Sequence, residues 1–192
     1  MASKLKVLTA NVHRISSKQK VKEFLDLLKE INPTVAYIQE IGVNMAVQVL
    51  APHYQIFINM DEETMGVDRI GIATIIKKGI PIKDVIYGVE GRTLGIKTRN
   101  VQFWNIYPKS GNENKKWREK YFREDLPDMM TAWKDHTRWI NQGGDFNCTH
   151  RLADSLNNQN QHLQKGLQKH MKVWLLKDDY VRCMENNYVI LG

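Results

Sequence analysis

Four places in the chain set oxygen-bearing side chains where an apolar run stops. Asn11 follows "LTA", Glu40 closes "VAYIQE", Asn105 and Tyr107 lie in "WNIYP", and Asp145 and Asn147 lie in "QGGDFNCTH" behind two glycines. Alternation along a strand would send Asp145 and Asn147 to one side and Phe146 to the other. Two polar groups side by side at a strand end are costly to bury unless something binds them. Each position alone has an ordinary explanation. A Glu at a strand end is commonly solvated, a Tyr there keeps its hydroxyl in water, and an Asn caps a turn. Gathered at neighbouring strand ends, carboxylates and amides make a hard, oxygen-rich site. Such a site suits Mg²⁺, with Mn²⁺ as the alternative: Mg²⁺ takes one or two carboxylates and completes its shell with waters and phosphate oxygens.

The elements that must position these residues are legible as periodicities. Leu5 to Ala10 is a short apolar run, a candidate central strand. Ser16 with Gln19 forms a capping box, and Val21, Phe24, Leu25, Leu28 and Ile31 recur at helical spacing until Asn32-Pro33. Thr34 to Glu40 is the next strand, followed by a short helix over about Asn44 to Leu50. Pro52-His53 breaks that helix and "YQIFI" reads as strand. Then come "RIGIATII", "KDVIYGV", "RTLGIKT" and "VQFWNIY", separated by turn signals at Lys78-Gly79, Glu90-Gly91 and Arg99-Asn100. Strands in series without helices between them are expected to pair antiparallel. A helix from about Asn112 to Trp133, divided at Pro127, precedes the strand "RWINQGG". A final amphipathic helix is expected from Gln159 to Leu176, with "DDYVRCM" starting a further strand. Two mostly antiparallel sheets packed face to face, with helices outside each, bury every apolar face described. The expected fold class is α/β (α+β), a four-layer α/β/β/α sandwich.

Composition narrows the class further. The chain has 192 residues, 42% of them hydrophobic and 26% charged, as in an ordinary globular protein, and the expectation is one domain over 1–192. Its 28 Lys and Arg against 21 Asp and Glu give a net charge of +7, which favours an anionic partner such as nucleic acid. Two cysteines, Cys148 and Cys183, imply neither a disulfide framework nor a zinc site. No run is long and apolar enough to cross a membrane, so no membrane partner is expected. "ENKKWREKYFRE" has two readings. Lys115, Lys116 and Arg118 lie along a DNA backbone, or Trp117, Tyr121 and Phe122 pack inward while the basic residues stay wet.

The segments "TANV", "YIQE", "NIYPKSG" and "GGDFN", in this order, resemble the endonuclease/exonuclease/phosphatase superfamily. "WREKYFREDLPDMM", "GGDFNC", "LADS" and "DDYVR" are similar to the endonuclease domains of non-LTR (LINE-type) retrotransposon polyproteins, and the resemblance covers nearly the whole chain. It implies a Mg²⁺-dependent DNA endonuclease that nicks target DNA for retrotransposition. The metal would be held by Glu40 with Asn11 and Asp145. Asp145 would orient or deprotonate the attacking water, Asn147 would hold the phosphate, and Tyr107 would donate to a phosphate oxygen. The resemblance also implies a monomeric domain within a polyprotein that carries a reverse transcriptase, acting in the nucleus.

That family closes with a Ser-Asp-His motif after a "Ser-Arg-Ile-Asp"-like strand. None of the six histidines (His13, His53, His136, His150, His162, His170) follows Ser-Asp, and "ENNYVILG" falls about where the last strands would begin. The sandwich is therefore expected to be C-terminally incomplete, with one sheet edge unpaired and cleavage impaired. Two alternatives stand beside the endonuclease: a metal-dependent phosphatase on the same scaffold, and a catalytically impaired DNA-binding remnant.

Overall fold

The computed structural model describes residues 5–14, 17–42, 50–61, 70–133, 139–147 and 172–175. The first apolar run forms strand β1 (Val7–Asn11). Helix α1 (Lys18–Ile31) then leads to β2 (Val35–Gly42), which pairs parallel with β1. The cap of α1 is Ser17, not the expected Ser16. Ser17 has extended backbone and its hydroxyl accepts from Lys20 N, while Gln19 lies inside the helix and bonds Glu23 one turn on. Asn32 ends the helix in the left-handed conformation.

Strands β3 (Tyr54–Met60) and β4 (Ile70–Lys77) pair antiparallel, and β4 lies antiparallel beside β2. On the far side, β9 (Lys172–Leu175) pairs antiparallel with β1, giving the order β3-β4-β2-β1-β9. This corrects the expectation of helix through Leu176. Val173 and Trp174 are strand formers, and the edge of β1 supplies the ladder partners that a helix would leave unpaired. The rest of that expected helix, the helix expected after Asn44 except Leu50, and "DDYVRCM" lie outside the described residues.

The second sheet runs β5 (Asp84–Tyr87), β6 (Thr93–Lys97), β7 (Val101–Ile106) and β8 (Trp139–Gly144) in that spatial order. The first three pair antiparallel as expected, and β8 joins β7 in parallel after a helical crossover. That crossover contains α2 (Lys115–Lys120), a π turn (Tyr121–Asp125) and α3 (Leu126–Thr131). Pro127 does not divide the helix as expected. It sits in the first turn of α3, where it has no N–H for the Arg123 carbonyl, and the turn before it widens to π instead of breaking.

Alternation sorts the side chains into four layers. Leu8, Ala10, Ala36, Ile38, Ala73 and Ile75 face Phe24 and Leu28 of α1. Val7, Val35, Tyr37, Ile72 and Ile76 face the other way and meet Leu94, Ile96, Phe103 and Tyr107 of the second sheet. Trp104 and Ile106, on that sheet's outer side, pack under Tyr121, Leu126 and Trp133. Polar pairs cross the middle layer. Gln39 Nε2 donates to Asn105 Oδ1 at 2.8 Å, and Tyr37 OH donates to Asn141 Oδ1 at 2.7 Å. These bonds satisfy groups that burial would otherwise leave costly, and they fix how one sheet sits on the other.

Candidate active site

The residues singled out in the sequence arrive at one end of the sandwich by three different local devices. Asn11 needs none: it is the last residue of β1 and alternates with Val7 and Thr9 toward the second sheet. Glu40 needs a bulge. By parity it would follow Ile38 toward α1, and the strand was expected to end there. Instead the pairing with β4 skips it, stepping from Gln39–Ile72 to Ile41–Gly71, and Glu40 takes φ 56°. The extra residue returns Ile41 to the α1 side of the sheet and re-aims the carboxylate into the site.

Asp145 and Asn147 are placed by glycines and a turn rather than by strand alternation. A side chain at Gly143 would strike the Tyr37 ring, and one at Gly144 (φ 144°) would strike the Ile106 backbone. Only two glycines let β8 run this close to its neighbours. Beyond the strand, Asn147 N donates to Asp145 Oδ1 at 3.1 Å, a local Asp turn with Asn147 at φ 48°. Phe146 points the opposite way, as expected, and stacks on Phe122 under the second sheet.

Asn11 joins the two carboxylates. Its Nδ2 donates one N–H to Glu40 Oε1 at 2.8 Å and the other to Asp145 Oδ2 at 3.0 Å. Its Oδ1 accepts from His13 N at 3.1 Å, which agrees with the amide being oriented nitrogen-inward. Tyr107, just past β7, donates its hydroxyl to Glu40 Oε1 at 2.9 Å, and His13 Nδ1 lies 3.2 Å from Glu40 Oε2. Asn147 Nδ2 donates to Pro108 O at 2.7 Å and so ties the loop after Tyr107 to the loop after β8. Asn105 is not in the site. It is buried between the sheets, holding Gln39 and the Ala73 carbonyl.

The charges follow from these contacts. Burial pushes the Glu40 carboxyl up, yet the bonds from Asn11 and Tyr107 and the His13 imidazole together outweigh it, and the group ends below its usual 4.5. The Tyr107 phenol is pushed well above its usual value by burial and by the Glu40 carboxylate, with Arg92 pulling the other way. Tyr107 is therefore a neutral donor throughout the physiological range.

These groups fit a hydrated divalent cation. A carboxylate has about four lone-pair directions. Glu40 spends three of them on Asn11, Tyr107 and His13, and Asp145 spends two on Asn11 and Asn147. One open direction on Glu40 and more on Asp145 match the one or two carboxylates that Mg²⁺ takes while keeping most of its waters, whereas Asn11 Oδ1 is turned to His13 N and its Nδ2 orients both carboxylates. Among the described residues no three His, Cys, Asp or Glu side chains are placed to hold one ion together.

His13 is the site residue that sequence reasoning passed over. Its signal was its place two residues after Asn11, where consecutive left-handed residues (His13 φ 46°, Arg14 φ 52°) fold the chain back on Glu40. Of the three residues expected on nucleic acid, Lys115 and Lys116 are exposed, whereas Arg118 Nη1 bonds the carbonyls of Lys109 and Gly111. Trp117, Tyr121 and Phe122 pack inward. Cys148, His150, Asp154 and Cys183 lie outside the described residues, and no described helix is long and apolar enough to cross a membrane.

No protein-family pattern matches the chain, and no curated protein sequence does. Solved structures do. A 3' phosphatase, NExo, from Neisseria, bound to product DNA hairpin, superposes with a TM-score of 0.63 at 17% identity, covering 79% of this chain and 61% of that one. An AP endonuclease from Archaeoglobus fulgidus gives 0.59 at 20% identity, covering 79% and 60%. TDP2 from C. elegans gives 0.59 at 18% identity, covering 76% of this chain and 48% of its own. The chain thus has the endonuclease/exonuclease/phosphatase sandwich fold and spans about half to three fifths of the length of these structures.

Proposed function

We propose that the chain is a Mg²⁺-dependent phosphodiesterase acting on DNA, an endonuclease of the retrotransposon type that nicks its target. The observation that carries this reading is the Asn11 side chain, which donates to carboxylates from two different sheets, Glu40 and Asp145. Two carboxylates held side by side by one amide, with a phenol on one of them, form an arrangement suited to a phosphate, a cation and a water. The net charge of +7 favours a polyanion as substrate. Structures of the same fold include an AP endonuclease and a 3' phosphatase bound to product DNA hairpin.

Glu40 and Asp145 would hold the cation, with Asn11, expected as a third ligand, orienting the two carboxylates through its Nδ2, and the cation when bound would neutralise charge on the phosphate. Asp145 retains free lone pairs after its bonds to Asn11 and Asn147. It accepts from the attacking water and takes its proton as the water oxygen bonds phosphorus and the P–O ester bond breaks; the departing oxygen takes a proton from solvent. Asn147 holds the loop that carries Tyr107 through the bond from its Nδ2 to Pro108 O. Tyr107 has a single hydroxyl proton, so donating to a phosphate oxygen means releasing Glu40.

Relaxation of supercoiled plasmid, with Mg²⁺ and with chelator, tests the reading. Asp145→Ala should lower nicking on the order of 10²–10⁴-fold with the thermal melt preserved. Undiminished nicking by the purified variant would remove Asp145 from the mechanism. The 3' phosphatase of like fold favours a second reading, phosphomonoester hydrolysis, which release of inorganic phosphate from a 3'-phosphorylated hairpin without plasmid nicking would establish.

A further inference from the structure

Tyr107 is held from behind by a residue with no other assigned task. Arg92 lies directly before β6, and its carbonyl accepts the Tyr107 backbone N–H at 2.8 Å. Its guanidinium carbon sits 4.9 Å from the centroid of the Tyr107 ring. Its Nε is enclosed and, among the described residues, has no acceptor. An enclosed N–H without an acceptor is costly, so the guanidinium is in this place against that cost. The face of the ring attracts it there, and a cation over a phenol withdraws electron density from it and makes its O–H a stronger donor.

The electrostatic setting gives this a purpose. The Tyr107 hydroxyl bonds Glu40 and lies near Asp145, two carboxylates that oppose a build-up of negative charge on any ligand oxygen placed there. Arg92 is the cation that counters them through the ring. We propose that Arg92 is a positioning residue for Tyr107, fixing the ring by its backbone carbonyl and its guanidinium and strengthening the hydroxyl as a donor to the phosphate. The inference rests on the reading of Tyr107 as the phosphate donor and goes beyond it by naming the group that prepares Tyr107 for the task.

Two measurements test it. In the nicking assay, Arg92→Met should lower kcat on the order of tenfold with KM little changed, and Arg92→Lys, which keeps a cation over the ring, should recover most of the loss. In a Tyr107→Phe background the Arg92→Met change should have no further effect, because the hydroxyl through which Arg92 acts is gone. Independent, multiplicative losses would overturn the proposal, since Arg92 would then touch the substrate itself. The second measurement needs no activity: 3-fluorotyrosine placed at position 107 should give one narrow ¹⁹F resonance in the parent and in Arg92→Lys, and a displaced or broadened one in Arg92→Met. An unmoved resonance overturns the positioning role. A parent that holds the ring in place yet fails to nick would fault the endonuclease reading instead.

Discussion

The Tyr107 hydroxyl donates a hydrogen bond to Glu40 Oε1, the oxygen that also accepts from Asn11. The bond links the end of β7 in one sheet to the bulge of β2 in the other. It is also one of the donors that hold the Glu40 carboxyl below its usual 4.5 against the opposing effect of burial. The pH consequence has a definite sign. A carboxylate depressed by folding adds stability that is fully present above the unfolded pKa of 4.5 and disappears as pH falls through the lower folded value. Tyr107→Phe removes a donor, so its folded pKa should move back toward 4.5 and less stability should depend on ionised Glu40. Melting temperatures from pH 7 to pH 3 should fall less steeply below pH 4.5 for the variant, which should also be about 1–2 kcal/mol less stable at neutral pH. Parallel curves would show that the bond contributes nothing to the ionised state.

Gly143 makes a second prediction, because its neighbour cannot move aside. Tyr37 is wholly buried, and its hydroxyl is tied to Asn141 of the same strand as the glycine. A methyl group at position 143 meets the Tyr37 ring. Gly143→Ala should therefore cost about 1–3 kcal/mol, read as a lowered urea midpoint, and should displace Asp145 two residues on. A midpoint within error of the parent would mean that β8 has room the geometry does not show.

The pair Gln39–Asn105 tests what polar groups do between the sheets. Both are buried, and Asn105 also donates to the Ala73 carbonyl. Gln39→Leu leaves Asn105 Oδ1 without its donor in a dry layer, at about 1–3 kcal/mol. Adding Asn105→Leu removes the orphaned group, so the double variant should lose less than the two single losses together. Strict additivity in chemical denaturation would show that the two side chains do not act as a pair.

These cases show which parts of the molecule its sequence made legible. Layers and strands follow from period: Val7, Thr9 and Asn11 against Leu8 and Ala10, and Phe24 and Leu28 at helical spacing, state which face is which. The two glycines before Asp145 were plain in the sequence, but the close approach to Tyr37 and Ile106 that requires them depends on how the strands pack. Glu40 could be picked out as a residue type, but its direction could not be read. Alternation aims it at α1, and only a bulge set by pairing with β4, sixty-odd positions of chain away from β1's own signals, turns it round. His13 was hidden for a similar reason, since two successive left-handed residues have no apolar period to report them. Lys172–Leu175 lies within a helical pattern, and pairing with the edge of β1 overrides it.

The basic segment 115–118 makes the final prediction, because the structure separates residues the sequence had grouped. Lys115 and Lys116 are exposed at the start of α2, whereas Arg118 is folded onto the carbonyls of Lys109 and Gly111. A lysine that neutralises a DNA phosphate releases a counterion, and its loss reduces the dependence of log K on log salt by about one. If Lys115 and Lys116 both contact phosphates, changing both to Ala should weaken duplex binding and lower the slope by about two, with the melting temperature unchanged. Arg118→Ala should do something different: it frees the loop after Tyr107, so it should lower stability by about 1 kcal/mol and leave the salt slope near the parent's. Binding isotherms of a short duplex between 50 and 200 mM salt, roughly the range over which such contacts are usually resolved, distinguish the two. A slope that falls with Arg118→Ala and stands still with the lysine pair would reverse the assignment and place the DNA over the Tyr107 loop instead of along α2.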